Sequence, residues 1–358
     1  MNLEPFRLER WLLKNAELDL GGGGVQKLTL GEVVDSLSFS QLMKYGRTDG
    51  SDSLKELVSE WYGGVEMDRI LITSGTSEAN LLVNYTLLEP GDRYLSENPQ
   101  YEQTTGLAKS LGVKVDEFQL NEENMWRPNV DEIKEKITKK PKIIFIDNPN
   151  NPTGAVLSSN EMKAICDISE DGGAYVHCDN ALRGSELNAK PAETPLKYTD
   201  KAIVTGSISK LGATSPRIGW VIADRDLIKR LWVTKDYTTL GHSALGEYIA
   251  ENILNKRKDI IKRNLEISCL NLSTLENWIK QNSDTFTLED PKAGFTGFPR
   301  YTKDVSSVKL CEDLLLNKGL LLSPGSYFGS EHHLRINTGS MNNTLVDGLN
   351  RLGEYMKH

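Results

Sequence analysis

The residues best suited to chemistry begin with Ser207-Ile208-Ser209-Lys210, followed by Arg217 in Pro216-Arg217-Ile218-Gly219-Trp220. Lys210 comes just past Ala202-Ile203-Val204, an apolar run that reads as a buried strand. Open α/β sheets carry their ligands at the carboxyl ends of strands, and an amine placed there can form a Schiff base with a carbonyl compound. A lysine standing alone is usually a solvated surface residue, so its companions decide the matter. Ser74-Gly75-Thr76-Ser77-Glu78-Ala79 follows the apolar run Ile70 to Thr73. Its free backbone N–H groups and hydroxyls can hold an anion at a helix start, although a serine-rich N-cap needs no ligand. Asn148-Pro149-Asn150-Asn151-Pro152-Thr153-Gly154 follows Ile143 to Asp147. A turn this rigid fixes where an asparagine amide points, and it also suits an ordinary strand-to-helix connection. Asp179 ends the run Ala174 to Cys178; alone, it would serve equally to cap a turn.

These residues need a scaffold that brings strand ends together. The middle of the chain alternates short apolar runs with amphipathic stretches. Strands are predicted at Ile70 to Thr73, Tyr94 to Ser96, Val113 to Phe118, Ile143 to Asp147, Ala174 to Asp179, Ala202 to Ser207 and Ile218 to Ala223. Leu54, Leu57, Val58 and Trp61 recur at helical spacing, Asp131 to Ile137 reads as a helix, and Ser158-Ser159-Asn160-Glu161 matches a capping box. Such alternation implies a mostly parallel, seven-stranded-type sheet in a three-layer α/β/α large domain, here residues 31–250. From Arg257 the pattern changes to a long helix through Lys280, strand-like pieces at Leu320 to Leu322 and His333 to Asn337, and a last helix at Thr344 to Met356. Residues 1–30 and 251–358 are read as a smaller α+β domain.

Composition sets outer limits. The 358 residues, 38% of them hydrophobic, are enough for two domains with substantial cores. A net charge of −8 without clustered Lys and Arg argues against a nucleic-acid partner. No apolar run approaches the roughly 20 residues needed to span a bilayer, and Met1 to Arg10 lacks a signal-peptide core. No membrane partner and a cytoplasmic location are therefore expected. Cys166, Cys178, Cys269 and Cys311 form no Cys-x-x-Cys pair, so free thiols and no metal site are expected.

Taken together and in order along the chain, Tyr45-Gly46, Asn151-Pro152-Thr153-Gly154, Asp179, Ser207-x-Ser209-Lys210 and Arg335 resemble the pyridoxal-phosphate enzymes of aminotransferase class I and II, with the aspartate aminotransferase fold. The resemblance implies pyridoxal 5′-phosphate as cofactor, an electron sink that the protein must attach, protonate and anchor. It implies that Lys210 carries the Schiff base and shuttles the α-proton, that Asp179 pairs with the ring nitrogen, and that Tyr101 of Pro99-Gln100-Tyr101 stacks on the ring. Asn151 would donate to the phenolic oxygen. Gly75, Thr76, Ser207, Ser209 and Arg217 would anchor the phosphate. Tyr45 would reach the neighbouring subunit's cofactor, which implies a homodimer with shared active sites. Arg335 would grip the α-carboxylate of an amino acid or 2-oxo acid, with Asn151 and Gly22 as further substrate contacts.

Two departures bear on reaction type. Members of the family usually have a tyrosine three residues after the aspartate, donating to the phenolic oxygen, where this chain has Leu182. The lysine linkage is then expected to titrate at higher pH than in members that keep the tyrosine. The Lys210 to Arg217 interval is also one residue shorter than the common pattern, with Ser215-Pro216 where glycine is usual. The leading expectation is an aminotransferase. A lyase or cyclase on the same cofactor is the alternative, because this fold runs several chemistries. A non-catalytic effector module and a Rossmann dehydrogenase fit less well, the latter because Gly21 to Gly24 lacks the required spacing. For a distal substrate carboxylate, Arg47 and Arg183 are named only by their nearness to motif positions.

Overall fold

The computed structural model describes residues 3–36 and 46–357. Its centre is one sheet of eight strands: β1 (Ile70–Thr73), β2 (Arg93–Asn98), β3 (Lys114–Asn121), β4 (Arg127–Pro128), β5 (Ile143–Asp147), β6 (Tyr175–Asp179), β7 (Ala202–Ser207) and β8 (Gly219–Ile222). Their order across the sheet is β1-β8-β7-β6-β5-β2-β3-β4. The pairs β7·β6, β6·β5, β5·β2 and β2·β3 are parallel, whereas β8 runs antiparallel to both neighbours and β4 antiparallel to β3. The seven predicted strands are all present. The eighth, β4, is two residues long, and its Arg127-Pro128 sequence carries no apolar run to betray it.

Alternate residues on a strand point to opposite faces, and both faces here are apolar, as a mostly parallel sheet requires. Ile70, Ile72, Leu95, Ile144, Ile146, Val176 and Val204 face one cluster, with Leu54, Val58 and Trp61 of α1 (Asp52–Trp61) and Ile253 and Leu254 of a helix at Ala244–Asn255. Leu71, Tyr94, Ile143, Phe145, Ile203 and Val221 face the other, with Ala79, Leu82 and Val83 of α2 (Thr76–Leu87) and Leu227 and Leu231 of a helix at Arg225–Lys235. The result is three layers. The Ser158 capping box forms as predicted: the Ser158 hydroxyl accepts from the Glu161 N–H, Glu161 accepts from the Ser158 N–H at 2.8 Å, and the helix Ser159–Gly172 ends on Gly173 at φ 73°.

A separate apolar cluster draws on both ends of the chain, including Trp11, Leu20, Leu275, Leu310, Leu321, Leu334 and Leu349. The long helix Arg257–Gln281 and the final helix Asn342–Met356 close it. Leu18–Asp19 pairs in parallel with Leu320–Leu321, so the glycine run that follows leaves this small sheet and passes beside the strand Leu334–Asn337. Among the described residues, no helix is long and apolar enough to cross a membrane.

Candidate active site

Four carboxyl ends of sheet strands open into one cleft of about 400 Å³: Thr76 lies beyond β1, Asp147 ends β5, Asp179 ends β6 and Ser207 ends β7. Lys210 enters from the short turn Ser209–Leu211, and Arg335 from the strand Leu334–Asn337. The cleft is thus walled by strand ends of the central sheet and by the strand Leu334–Asn337.

Lys210 is half-buried, and its Nζ donates to the Gly23 carbonyl oxygen at 2.7 Å. Burial, reinforced by the nearby Arg335 and Lys27 cations, lowers its pKa to about 8, against the pull of Glu9 and Asp179. Asp179 is buried, accepting from the Ala181 N–H at 2.8 Å on one oxygen and from Asn80 Nδ2 at 2.9 Å on the other. Burial raises its pKa, while those two donors and Lys210 favour the carboxylate. Asn80 is itself held: its Oδ1 accepts from Thr205 Oγ1 at 2.9 Å. Asp147, level with Asp179 across the β5·β6 pairing, is a second buried acid in the cleft, and its Oδ2 has no hydrogen-bond partner. Burial first, then the Asp179 and Glu97 charges, raise its pKa well above the usual carboxylate range.

The anion-binding end is built on Gly75, the N-cap of α2, at φ 83°. A Cβ there would stand 2.6 Å from Arg217 Nη2, which a flexible side chain can yield, so it is the backbone conformation that demands glycine. Thr76 Oγ1 is buried beside it without a partner, and Ser207 Oγ accepts from the Ser209 N–H at 3.3 Å. Arg217 lines the same end despite the shortened interval from Lys210; its own φ of 55° is the left-handed turn that redirects the chain.

At the opposite wall Arg335 is 2% exposed. Its Nη2 donates to the Gly21 carbonyl at 2.7 Å and its Nη1 to Asn151 Oδ1 at 3.1 Å, while Nε has no partner. Burial lowers its pKa to about 10, opposed by Tyr101, Glu9 and Asp19. A buried guanidinium without a carboxylate partner among the described residues is set up to receive an anion. Tyr101 packs its ring against Phe6, centroids 4.9 Å apart, and donates its hydroxyl to Glu9 Oε1 at 2.7 Å. Leu182 lines the cleft where a tyrosine is usual in the family.

The structure therefore brings Gly75, Thr76, Tyr101, Asn151, Asp179, Ser207, Ser209, Lys210, Arg217 and Arg335 into one neighbourhood. Tyr45 lies outside the described residues. Gly22 does not line the cleft: its carbonyl is taken by Asn337 Nδ2 at 3.0 Å, and Gly23 forms the wall instead. Neither arginine named for a distal carboxylate lines the cleft of its own chain. Arg183 is buried away from the cleft, donating to the Trp61 and Ala192 carbonyls at 2.7 and 3.2 Å, and Arg47 pairs with Asp49 at 2.9 Å. Asn80, Asp147 and Glu9 were not anticipated. Asn80 had one signal, a lone amide among Ala79, Leu81, Leu82 and Val83 on a helix that starts at the glycine turn. Arg335→Leu is expected to raise KM for amino-acid substrate about 10- to 100-fold, the worth of charge-assisted hydrogen bonds; initial-rate kinetics that leave KM within about threefold would remove Arg335 from the substrate site.

The fold and this cleft define a class of enzyme, and comparison with known proteins agrees. The sequence pattern of aminotransferase class I and II matches residues 10–351, and the chain belongs to that family. Capreomycidine synthase of Streptomyces vinaceus is 27% identical over 361 residues, covering 98% of this chain and 93% of its own. Aspartate aminotransferase of Pyrococcus horikoshii is 28% identical over 340 residues, covering 87% and 83%. Among solved structures, a PLP-dependent aminotransferase from Streptococcus suis 89-1591 superposes with a TM-score of 0.93 at 32% identity, over 100% of this chain and 98% of that one. The PLP-dependent cyclase OrfR shares the fold, with a TM-score of 0.91 at 23% identity over 100% and 98%. The protein is a pyridoxal-phosphate-dependent transferase, and pyridoxal phosphate is its cofactor.

Proposed function

We propose that this enzyme moves an amino group from an L-amino acid to a 2-oxo acid, using Lys210 to attach the cofactor. The observation that carries this reading is the convergence of Lys210, Asp179 and the unpaired Arg335 on one cleft. The residues fit the group. Thr76 Oγ1 is a buried hydroxyl lacking a partner, next to the Arg217 guanidinium and the free N–H groups of α2, a ready phosphate cradle. When bound, pyridoxal phosphate supplies an electron sink for the α-carbon. Asp179, held by Asn80 and the Ala181 N–H, keeps a proton on the ring nitrogen. Arg335 and Asn151, already hydrogen-bonded to each other, orient the substrate carboxylate. Lys210, once released, takes the α-proton and returns it, a role suited to an amine whose pKa is about 8. Tyr101 would hold the ring by stacking on it. The chain is divided as residues 31–250 and residues 1–30 with 251–358, and works as a cytoplasmic homodimer.

Since only the neutral amine attacks a carbonyl, capture of cofactor by the apoenzyme should follow the Lys210 titration. Its rate is expected to rise about tenfold per pH unit below the pKa of about 8 and to level off above it. Stopped-flow absorbance that is flat from about pH 6 to 8 would contradict that role.

A second reading has specific support. Leu182 at the cleft wall removes a hydrogen bond to the cofactor that other members have, and two relatives carry the names capreomycidine synthase and cyclase. The discriminating experiment adds an amino-acid panel to holoenzyme without any oxo acid. Transamination should release one equivalent of 2-oxo acid per site and no ammonia. Continuous product formation, with ammonia or with no nitrogen loss, would favour elimination or cyclisation instead.

A further inference from the structure

Resting on the reading above, the allocation of charge in the cleft leaves Asp147 and Glu9 without a task, and of the two only Glu9 comes from outside the strand ends. Lys210, Arg217 and Arg335 are its cations, and each is committed to cofactor or to the substrate's α-carboxylate. Asp179 serves the ring nitrogen, and Asp147 lies level with it on the neighbouring strand. Glu9 remains. It comes from the short helix Arg7–Trp11, far from every motif in sequence, yet lines the same cleft.

Glu9 is exposed, and its neighbours on the short helix set where it stands. Leu8 and Trp11 of its helix are buried, Trp11 Nε1 donates to the Leu322 carbonyl at 2.7 Å, and Arg7 pairs with Glu102 at 2.7 Å. Glu9 Oε1 accepts from the Tyr101 hydroxyl at 2.7 Å, and Oε2 has no donor among the described residues. Leu12 and Leu182 are apolar residues that line the same cleft. Lys27, the other cation whose field reaches Lys210, does not line the cleft. Among the described residues of this chain, the cleft thus offers aliphatic surface, a free carboxylate oxygen and no cation beyond Lys210, Arg217 and Arg335.

We infer that Glu9 selects amino-acid substrates bearing a distal cationic group, an ammonium or a guanidinium, by accepting a charge-assisted hydrogen bond from it on its free oxygen. A distal carboxylate would meet like charge at close range, which specificity sites use to reject the wrong ligand. A neutral chain would bury no favourable charge against Glu9. Closure over the substrate would exclude water and strengthen the pair relative to its exposed state.

The test titrates holoenzyme with L-arginine, L-ornithine, L-lysine, L-norleucine and L-glutamate, reading the concentration that half-saturates the cofactor's spectral change. At least one cationic amino acid is expected to act at a concentration about tenfold or more below norleucine, with glutamate weakest, in keeping with a charge-assisted hydrogen bond. In Glu9→Gln that ratio should shrink to within about threefold. Ornithine and lysine against arginine separates ammonium from guanidinium recognition. A wild-type preference for norleucine or glutamate would overturn the inference while leaving the proposed reaction standing. So would a cationic preference that survives Glu9→Gln, which would reduce Glu9 to orienting Tyr101. No spectral response to any of the five, from a holoenzyme that carries cofactor, would count against the proposed function as well.

Discussion

Lys210→Ala is expected to fold, to bind pyridoxal phosphate without covalent attachment, and to lose turnover by about 10⁴-fold or more, the upper end of what a positioned proton-transfer group contributes. The side chain has two jobs in the proposed reaction, attachment and proton transfer, and its Nζ is otherwise tied only to the Gly23 carbonyl. Stability should move the other way. A lysine whose folded pKa of about 8 lies below its unfolded value of 10.5 disfavours folding whenever it is charged. That cost is fully present below pH 8 and fades as pH rises from 8 towards 10.5. Apo Lys210→Ala should therefore melt at or above the wild-type temperature at neutral pH, with the difference shrinking in alkali. A variant that keeps the visible band of the attached cofactor, or turns over within tenfold of wild type, would mean that another amine does the work.

Asp179→Asn should lower kcat by roughly two to four orders of magnitude, the effect of removing one partner from a buried charge pair of about 3–5 kcal/mol. The amide is nearly isosteric but has a single acceptor oxygen, so it keeps only one of the two contacts, from the Ala181 N–H or from Asn80 Nδ2, that hold residue 179 in place. What disappears is the negative charge that keeps a proton on the ring nitrogen. Lower pH should then partly restore the variant, because solvent can supply the proton that Asp179 no longer stabilises, whereas the wild type gains nothing from acid. Steady-state pH profiles decide it. Activity within about fivefold of wild type, or a loss that acid does not relieve, would place Asp179 outside the ring-nitrogen role.

How much of this was legible in the sequence follows from where each residue sits. Asp179, Asn151 and Lys210 follow long apolar runs whose strand character is unambiguous, and strand ends converge in an open α/β sheet, so order along the chain translated into proximity. Gly75 was readable for the same reason, and its φ of 83° accounts for the glycine. Strands of two residues left no periodic trace: Arg127–Pro128 and Leu18–Asp19 are defined by pairing, not by pattern. That Gly23 lines the cleft was not legible because four consecutive glycines give no register; Asn337 sets it by binding the Gly22 and Gly24 carbonyls at 3.0 and 2.9 Å. Glu9 and Asn80 were hidden for different reasons. Glu9 reaches the cleft only through packing of Leu8 and Trp11 against distant parts of the chain, and Asn80 is a polar residue on a helix whose neighbours fully justify its burial face. Arg183 misled because its neighbour in sequence, Leu182, faces the cleft, whereas the guanidinium lies over Tyr62 at 4.3 Å.

The central claim is that the cofactor is attached through Lys210. Borohydride reduction of the holoenzyme, followed by proteolysis and mass spectrometry of the labelled peptide, tests it most directly. The expected result is a single stoichiometric modification on the peptide containing Ser207-Ile208-Ser209-Lys210, with fragment ions placing it on the lysine. Modification of any other lysine, or no modification of a holoenzyme shown to hold the cofactor, would contradict it.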